Sequence, residues 1–400
     1  MRYSLSLFLC LLGAAALLSL ARPMNPAAST PASALSRAHP AAAIDQNAAN
    51  NIRRTMAACE EDGAQNECYQ RAAGQFFSVF GLRPTLELLA QNEQYPEVYA
   101  RCHEVTHYLA RHEFAQVNNA PQAYAACDST CHGGCYHGVM EAHLKNLAGQ
   151  ADQPTLAQHF TVMCGQLDDY DRPILYYECL HGLGHAAMFV TDTDLHRSLA
   201  MCDLLPDEDS QGRCYSGVFM ENSSSSTNLD HPSRYLKADD PNYPCNNLAE
   251  RYQQICYRYQ SSHFALLANH NWDAVGQLCA GVPTKYQSDC FRTIGTNQVG
   301  FTRDLRVWAA NCAKMPPDQQ AICTKGVITS LAYRFVGETQ TAEDFCHLAK
   351  PEHQQSCLIQ LGVTIRDWST DRGAQQAWCN QLTSPTFQHW CQQGLSNPSF

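Results

Sequence analysis

The sequence predicts an all-α fold, a solenoid of αα-hairpin repeats with about ten units of ~34 residues, each hairpin stapled by a disulfide. Two observations carry this reading. Cysteines recur at a nearly fixed step, and prolines fall between the members of cysteine pairs, where one helix must end and the next begin.

The pairs are 59 and 68, 164 and 179, 202 and 214, 245 and 256, 279 and 290, 312 and 323, 346 and 357, 379 and 391; four of them are spaced by eleven. Taking the second member of each, with Cys102 and Cys135 in the early slots, seven of nine steps are 33 to 35 residues. That is the length of two short helices plus turns. Pro283, Pro316, Pro317, Pro351 and Pro385 all lie inside pairs. A disulfide needs Cα atoms about 4.4 to 6.8 Å apart, which suits a close point between antiparallel helices and hardly suits one continuous helix. Closing a loop of ~12 residues contributes about 3 kcal/mol in the chain-entropy model. Ten such staples predict a rigid rod without a large single core.

From the N-terminus, residues 1–21 read as a signal peptide: Met-Arg-Tyr, an apolar run from Leu5 to Leu20, and small residues Ser19 and Ala21 at the cut. An uncleaved anchor is the alternative, although the run falls short of the ~20 residues that span a bilayer. Residues 22–51 are rich in Ala, Pro and Ser and read as a disordered tether, with folded structure expected from Ile52. Removing Cys10 with the signal leaves twenty cysteines of twenty-one, an even number that suits a secreted or periplasmic, oxidising location. Net charge is -11 with 16% charged residues and no basic run, which excludes the electrostatic footprint of a nucleic-acid binder. After signal cleavage no membrane span is expected.

Residues 52–244 are expected to form N-terminal repeats with two insertions, one between Cys135 and Cys179 and one that includes Asn222 to Pro244. Insertions in repeats become loops on one face, often the binding face. Cys102, Cys127, Cys131 and Cys135 allow three connectivities; Cys127 with Cys135 and Cys102 with Cys131 is favoured, and a metal-thiolate group is the alternative. Residues 245–400 read as C-terminal repeats and plain scaffold, regular in period and without clustered titratable residues.

Three consecutive second helices carry i, i+4 pairs: His103 and His107 in HEVTH, His137 and Glu141 in HGVME, His181 and His185 in HGLGH. That spacing puts two side chains on one helix face, one turn apart, as two ligands of one metal are presented. His103 to His137 and His107 to Glu141 are both 34 residues, so the pairs should occupy equivalent places on adjacent helices. These six residues are the predicted ligands of a divalent metal; the donor set suits zinc, iron or manganese and copper less well. A polar hydrogen-bonded seam without metal is the alternative, but it must explain why the ladder stops, the next helix having Ser216 and Met220. Gly138, Gly182 and Gly184 cost helix stability, about 0.5 to 1 kcal/mol each. Close approach of a neighbouring helix, or access for a ligand, would offset that. His112, His132 and His143 fall off the register.

In period and staples the chain resembles disulfide-stapled Sel1-like and tetratricopeptide-like repeat proteins over nearly all of the mature sequence. The resemblance implies a surface that docks a protein or peptide partner. HEVTH is also similar to the HExxH string of zincin metallopeptidases, which implies His103 and His107 as zinc ligands and Glu104 as catalytic base. No third-histidine extension follows, Glu113 standing in its place, and no adjoining sheet is expected. The leading expectation is an exported metal-dependent enzyme with the Asn222 to Pro244 segment as a lid; the alternatives are metal binding without chemistry, an interaction scaffold, and a zincin-like peptidase. No phosphate loop, GxSxG elbow or CxxCH haem site is present.

Overall fold

Helices alternate between an outer and an inner row from Gln46 onward. The computed structural model describes residues 46–62, 65–147, 153–165, 173–224 and 233–397; the expected signal peptide lies outside the described residues. The first hairpin is α1 (Gln46–Glu60) and α2 (Gln65–Phe80). The second has its outer part split into α3 (Leu82–Asn92) and α4 (Pro96–Tyr99), followed by inner helix α5 (Cys102–Val117). Then come α6 (Ala120–Ala126) with α7 (Gly134–Leu147), α8 (Gln153–Gly165) with α9 (Pro173–Val190), and α10 (Leu195–Cys202) with α11 (Glu208–Ser224). In the sixth unit the outer helix is reduced to a 3-10 turn at Cys245–Asn247 before inner helix α12 (Glu250–Leu267). Four regular hairpins follow: α13 (Trp272–Ala280) with α14 (Thr284–Gln298), α15 (Leu305–Lys314) with α16 (Gln320–Arg334), α17 (Gln340–Leu348) with α18 (Pro351–Ile365), and α19 (Arg372–Asn380) with α20 (Pro385–Ser396). No strand occurs among the described residues.

The first helix begins at Gln46, six residues before the expected start of folded structure at Ile52. Ala48, Ala49, Ile52 and Met56 are buried at helical spacing, and the alanines hid that stripe inside a run that reads as tether. Further along, five outer helices start where an Asn or Asp side chain takes a free backbone N–H: Asn119 accepts from Gln122, Asp194 from Arg197, Asn271 from Ala274, Asp304 from Arg306 and Asp371 from Gly373. Pro351 and Pro385 open α18 and α20 at positions whose N–H would be unpaired anyway.

All ten disulfides form with Cα separations of 5.4 to 5.8 Å. Nine join an inner helix to the segment just before it; Cys102–Cys131 instead reaches forward across one unit. This many pairs suits an oxidising environment and not the reducing cytosol. No helix among the described residues is long and apolar enough to cross a membrane.

Inner helices stack in chain order, α5 on α7, α7 on α9, α9 on α11 and so on to α20. The approach is backbone to backbone. A Cβ on Gly138 would collide with the carbonyl oxygen of His107, and one on Gly217 with that of His181. Helix proximity is therefore what offsets the poor helix propensity of Gly138 and Gly184, whose Cβ would strike Cys214 O.

The stack is not the open rod that independent staples suggest. Small rotations between units accumulate, and the early repeats meet the late ones. The Tyr99 hydroxyl donates to the Val299 carbonyl, the Ile174 amide donates to Asp367 O at 2.9 Å, Tyr177 stacks on Tyr333 at 5.7 Å, and Arg334 lies 3.8 Å from Glu93. A cavity of about 580 Å³ is enclosed between them, lined from α7 and α9 on one side and from α12, α14 and α16 on the other.

Candidate metal centre

Helices α5, α7 and α9 place the ladder on one continuous face, because each pair keeps the i, i+4 spacing and each helix keeps its register on the last. His103, His107 and His137 form one group whose ligand atoms all lie within 4.8 Å of one another; His137, His181 and His185 form a second. His137 belongs to both. Its ring centroid is 5.3, 5.3, 5.2 and 4.5 Å from those of His103, His107, His181 and His185.

Hydrogen bonds at Nδ1 decide which ring nitrogens are bare. His103 Nδ1 is 2.9 Å from the Cys131 carbonyl, which can only accept, so the proton is on Nδ1. His107 Nδ1 donates to Glu141 Oε1 at 3.0 Å, and His185 Nδ1 to Glu221 Oε2 at 2.8 Å. Ser216 donates its own proton to the Arg213 carbonyl, so at 2.7 Å its Oγ accepts from His181 Nδ1. With the rings neutral, as metal ligands must be, the remaining Nε2 of each is a lone pair. These lone pairs face each other at 3.2 Å between His103 and His107 and at 3.1 Å between His181 and His185. Two acceptors cannot satisfy one another. Two nitrogens bound to one tetrahedral ion at 2.0 to 2.1 Å stand about 3.3 Å apart, so a cation fits the spacing.

His137 is 2% exposed and neither of its ring nitrogens has a hydrogen-bond partner. Glu178 Oε2 stands 3.4 Å from its Nε2. Burial first, then the positive charge each ring would feel from its neighbours, holds His103, His137 and His181 well below the ordinary histidine range. They are neutral, as ligands must be. Burial pushes Glu178 up to about 8. Burial also opposes ionisation of Glu141, but the Arg111 guanidinium, bound to it at 2.6 and 3.0 Å, and then His107 outweigh it and hold it far below the carboxylate range.

The structure thus brings five of the six sequence-predicted ligands together and sets Glu141 one shell out, orienting His107 through Nδ1 while paired with Arg111. Glu104, the base that the HExxH resemblance implies, joins neither histidine group; its carboxylate lies 3.7 Å from Arg101. Two contributors escaped the sequence reading. Glu221 is 36 residues past His185 and so one place off the i, i+4 register, and Ser216, noted only as the ladder's end, is the acceptor for His181. A scan for carboxylates and hydroxyls one repeat beyond each histidine would have found both.

The third candidate group, Glu93, Cys102 and Cys131, has its sulfurs joined as a disulfide. It acts on the ladder through the backbone. Cys131, His132 and Gly133 are all left-handed (φ 53°, 62° and 72°), strained for the two non-glycines. Glu93 accepts from the Cys131 amide at 2.9 Å, and the turn so held aims the Cys131 carbonyl at His103. His132 lines the cavity. The Asn222 to Pro244 segment lies partly outside the described residues; its described part packs on α12, where Gln260 donates to the carbonyls of Pro241 and Tyr243 at 2.7 and 3.0 Å.

Compared with known proteins, the chain matches no family model, no curated protein and no solved structure. The groups that could hold a metal ion therefore stand on their own geometry.

Proposed function

We propose that the protein is a metal-dependent enzyme of an oxidising compartment outside the cytoplasm, its ion or ions held by His103, His107, His137, His181 and His185. One observation supports this above the others: four rings whose Nδ1 protons are committed elsewhere turn bare Nε2 lone pairs toward one another around a buried His137 that makes no hydrogen bond at either nitrogen, Glu178 standing 3.4 Å away. A hydrogen-bonded seam would leave no such deficit. An all-imidazole donor set favours zinc or iron, with copper more acceptable and manganese less so than a carboxylate-containing set would be. Glu141 and Glu221 orient His107 and His185 from behind.

Catalysis rather than storage is favoured by the cavity. His137 and His181 line it, so a small molecule can reach the ion, and Glu178 stands at the same wall in a place to exchange a proton with it. The peptidase reading of HEVTH has less support, since its base, Glu104, is drawn to Arg101.

The test is elemental analysis of protein made in an oxidising compartment and purified without a histidine tag. One or two ions per chain are expected; no bound metal after reconstitution with zinc, iron or copper overturns the reading. Cobalt-substituted protein then separates catalysis from storage: added azide should shift its visible spectrum if a coordination position is open, and a spectrum indifferent to azide points to sequestration.

A further inference from the structure

The histidines do not end the row of functional side chains. His137 and His181 each stand two residues after the second cysteine of their unit, and the same place in the sixth, seventh and eighth units holds Arg258, Arg292 and Lys325. The shared register puts these cations on the same face of the inner helices, and Arg258 and Arg292 line the cavity that also takes in His137 and His181. The chain as a whole carries -11, so this local concentration of positive charge runs against the composition.

Carboxylates neutralise only part of it. Asp289 Oδ1 accepts from Arg258 Nε and Nη2 at 3.1 and 2.8 Å, and its other oxygen accepts from Gln254 at 3.2 Å. Arg334, also in the lining, has Glu93 at 3.8 Å and its guanidinium 4.1 Å over the Tyr99 ring. The Arg292 guanidinium makes no hydrogen bond or ion pair among the described residues. Its pKa is lowered, by burial and then by the like charge of Arg258, and that of Lys325 is lowered by burial and then by Arg292. A half-buried guanidinium with five donors and no protein acceptor is able to receive an oxyanion. Ser288, Thr329 and Ser330 line the same space of about 580 Å³.

We propose that Arg292, with Arg258 beside it, anchors the carboxylate or phosphate group of a small, hydroxyl-bearing substrate inside this cavity. The inference rests on the enzyme reading for its meaning, in that the anchored molecule is what the metal centre would act on, but the anchoring itself needs no metal. A planar guanidinium takes either oxyanion through two parallel N–H donors, which a lysine at the same place cannot do.

The experiment is isothermal titration calorimetry on the full, disulfide-intact chain, stripped of metal and again zinc-loaded, with inorganic phosphate and with succinate as probes. At least one probe should bind in both forms, phosphate alone identifying a phosphate ester and succinate alone a carboxylate. Arg292→Gln should weaken that binding by about tenfold or more, Arg292→Lys by less. Bound zinc in both variants should equal that of the unaltered protein, which also shows that they fold. Two results overturn the proposal: neither probe binds, or Arg292→Gln binds as well as the parent. A chain that holds no metal yet binds the anion through Arg292 would sink the enzyme reading and leave this site standing.

Discussion

Two polar rows run along the same face of the inner helices, and they differ in one respect. In the later repeats Ser261 donates to Thr293 at 2.8 Å, Asn297 donates to Ser261 and Ser262 at 2.9 and 3.0 Å, and the hydroxyl of Thr293 bonds the Arg258 carbonyl. Donors there meet acceptors and the seam closes on itself. In the early repeats the Nδ1 sides of His103, His107, His181 and His185 are equally well served, but their Nε2 sides present lone pair to lone pair, and His137 makes no hydrogen bond. An unsatisfied buried polar group costs about 1 to 3 kcal/mol, so the later row is what a structural seam looks like and the earlier row is not. The comparison separates the packing role of an inner helix from the ligand role proposed for three particular ones.

That separation can be broken or sharpened by experiment. The largest expected effect is His137→Ala, which removes the ligand common to both groups. Bound metal, read by plasma mass spectrometry, should fall by an order of magnitude or more, while the apo protein should lose only the packing of one buried ring, about 2 to 4 kcal/mol. Unchanged metal content would make the ladder a seam after all. Next is Glu221→Gln, which keeps the shape behind His185 but removes the charge: metal affinity should drop by about 10- to 100-fold in a competitive chelator titration.

Glycine substitutions compare the halves directly. Gly217→Ala and Gly326→Ala both push a methyl into a neighbouring backbone carbonyl, of His181 and of Arg292 respectively, and each should lower stability by about 1 to 3 kcal/mol in urea titrations. Only Gly217→Ala moves a ladder histidine, so only it should weaken metal binding. Equal loss of metal in both would mean that the rows are coupled through the whole stack.

Disulfides offer the same contrast. Replacing Cys346 and Cys357 by Ser should cost about 3 kcal/mol of stability and leave metal affinity intact. Replacing Cys102 and Cys131 should instead release the left-handed turn at Cys131 to Gly133, take the carbonyl away from His103 and weaken metal binding. The smallest effect is expected at a cap far from the site: Asp371→Ala should lower stability by about 1 kcal/mol, seen as a shift in urea midpoint, with metal content unchanged.

The sequence by itself determined the repeat, the hairpins and the pairing of the cysteines outside the group at 102, 127, 131 and 135, because these are local: a staple spans eight to fifteen residues in nine of ten cases, prolines and Asn or Asp caps act within one turn, and the 34-residue step carries register from one helix to the next. It also brought out the five histidines, whose i, i+4 spacing is a local property too. Tertiary structure alone decided the rest. Whether Glu141 would face the cluster or stand behind His107 depended on Arg111, a residue with no mark in the pattern. The closing of the stack on itself depended on small rotations summed over many units, which no local window contains. That closure set Arg292 and Tyr333 around the same cavity as His137 and His181, and so turned repeats that read as plain scaffold into the second wall of the site.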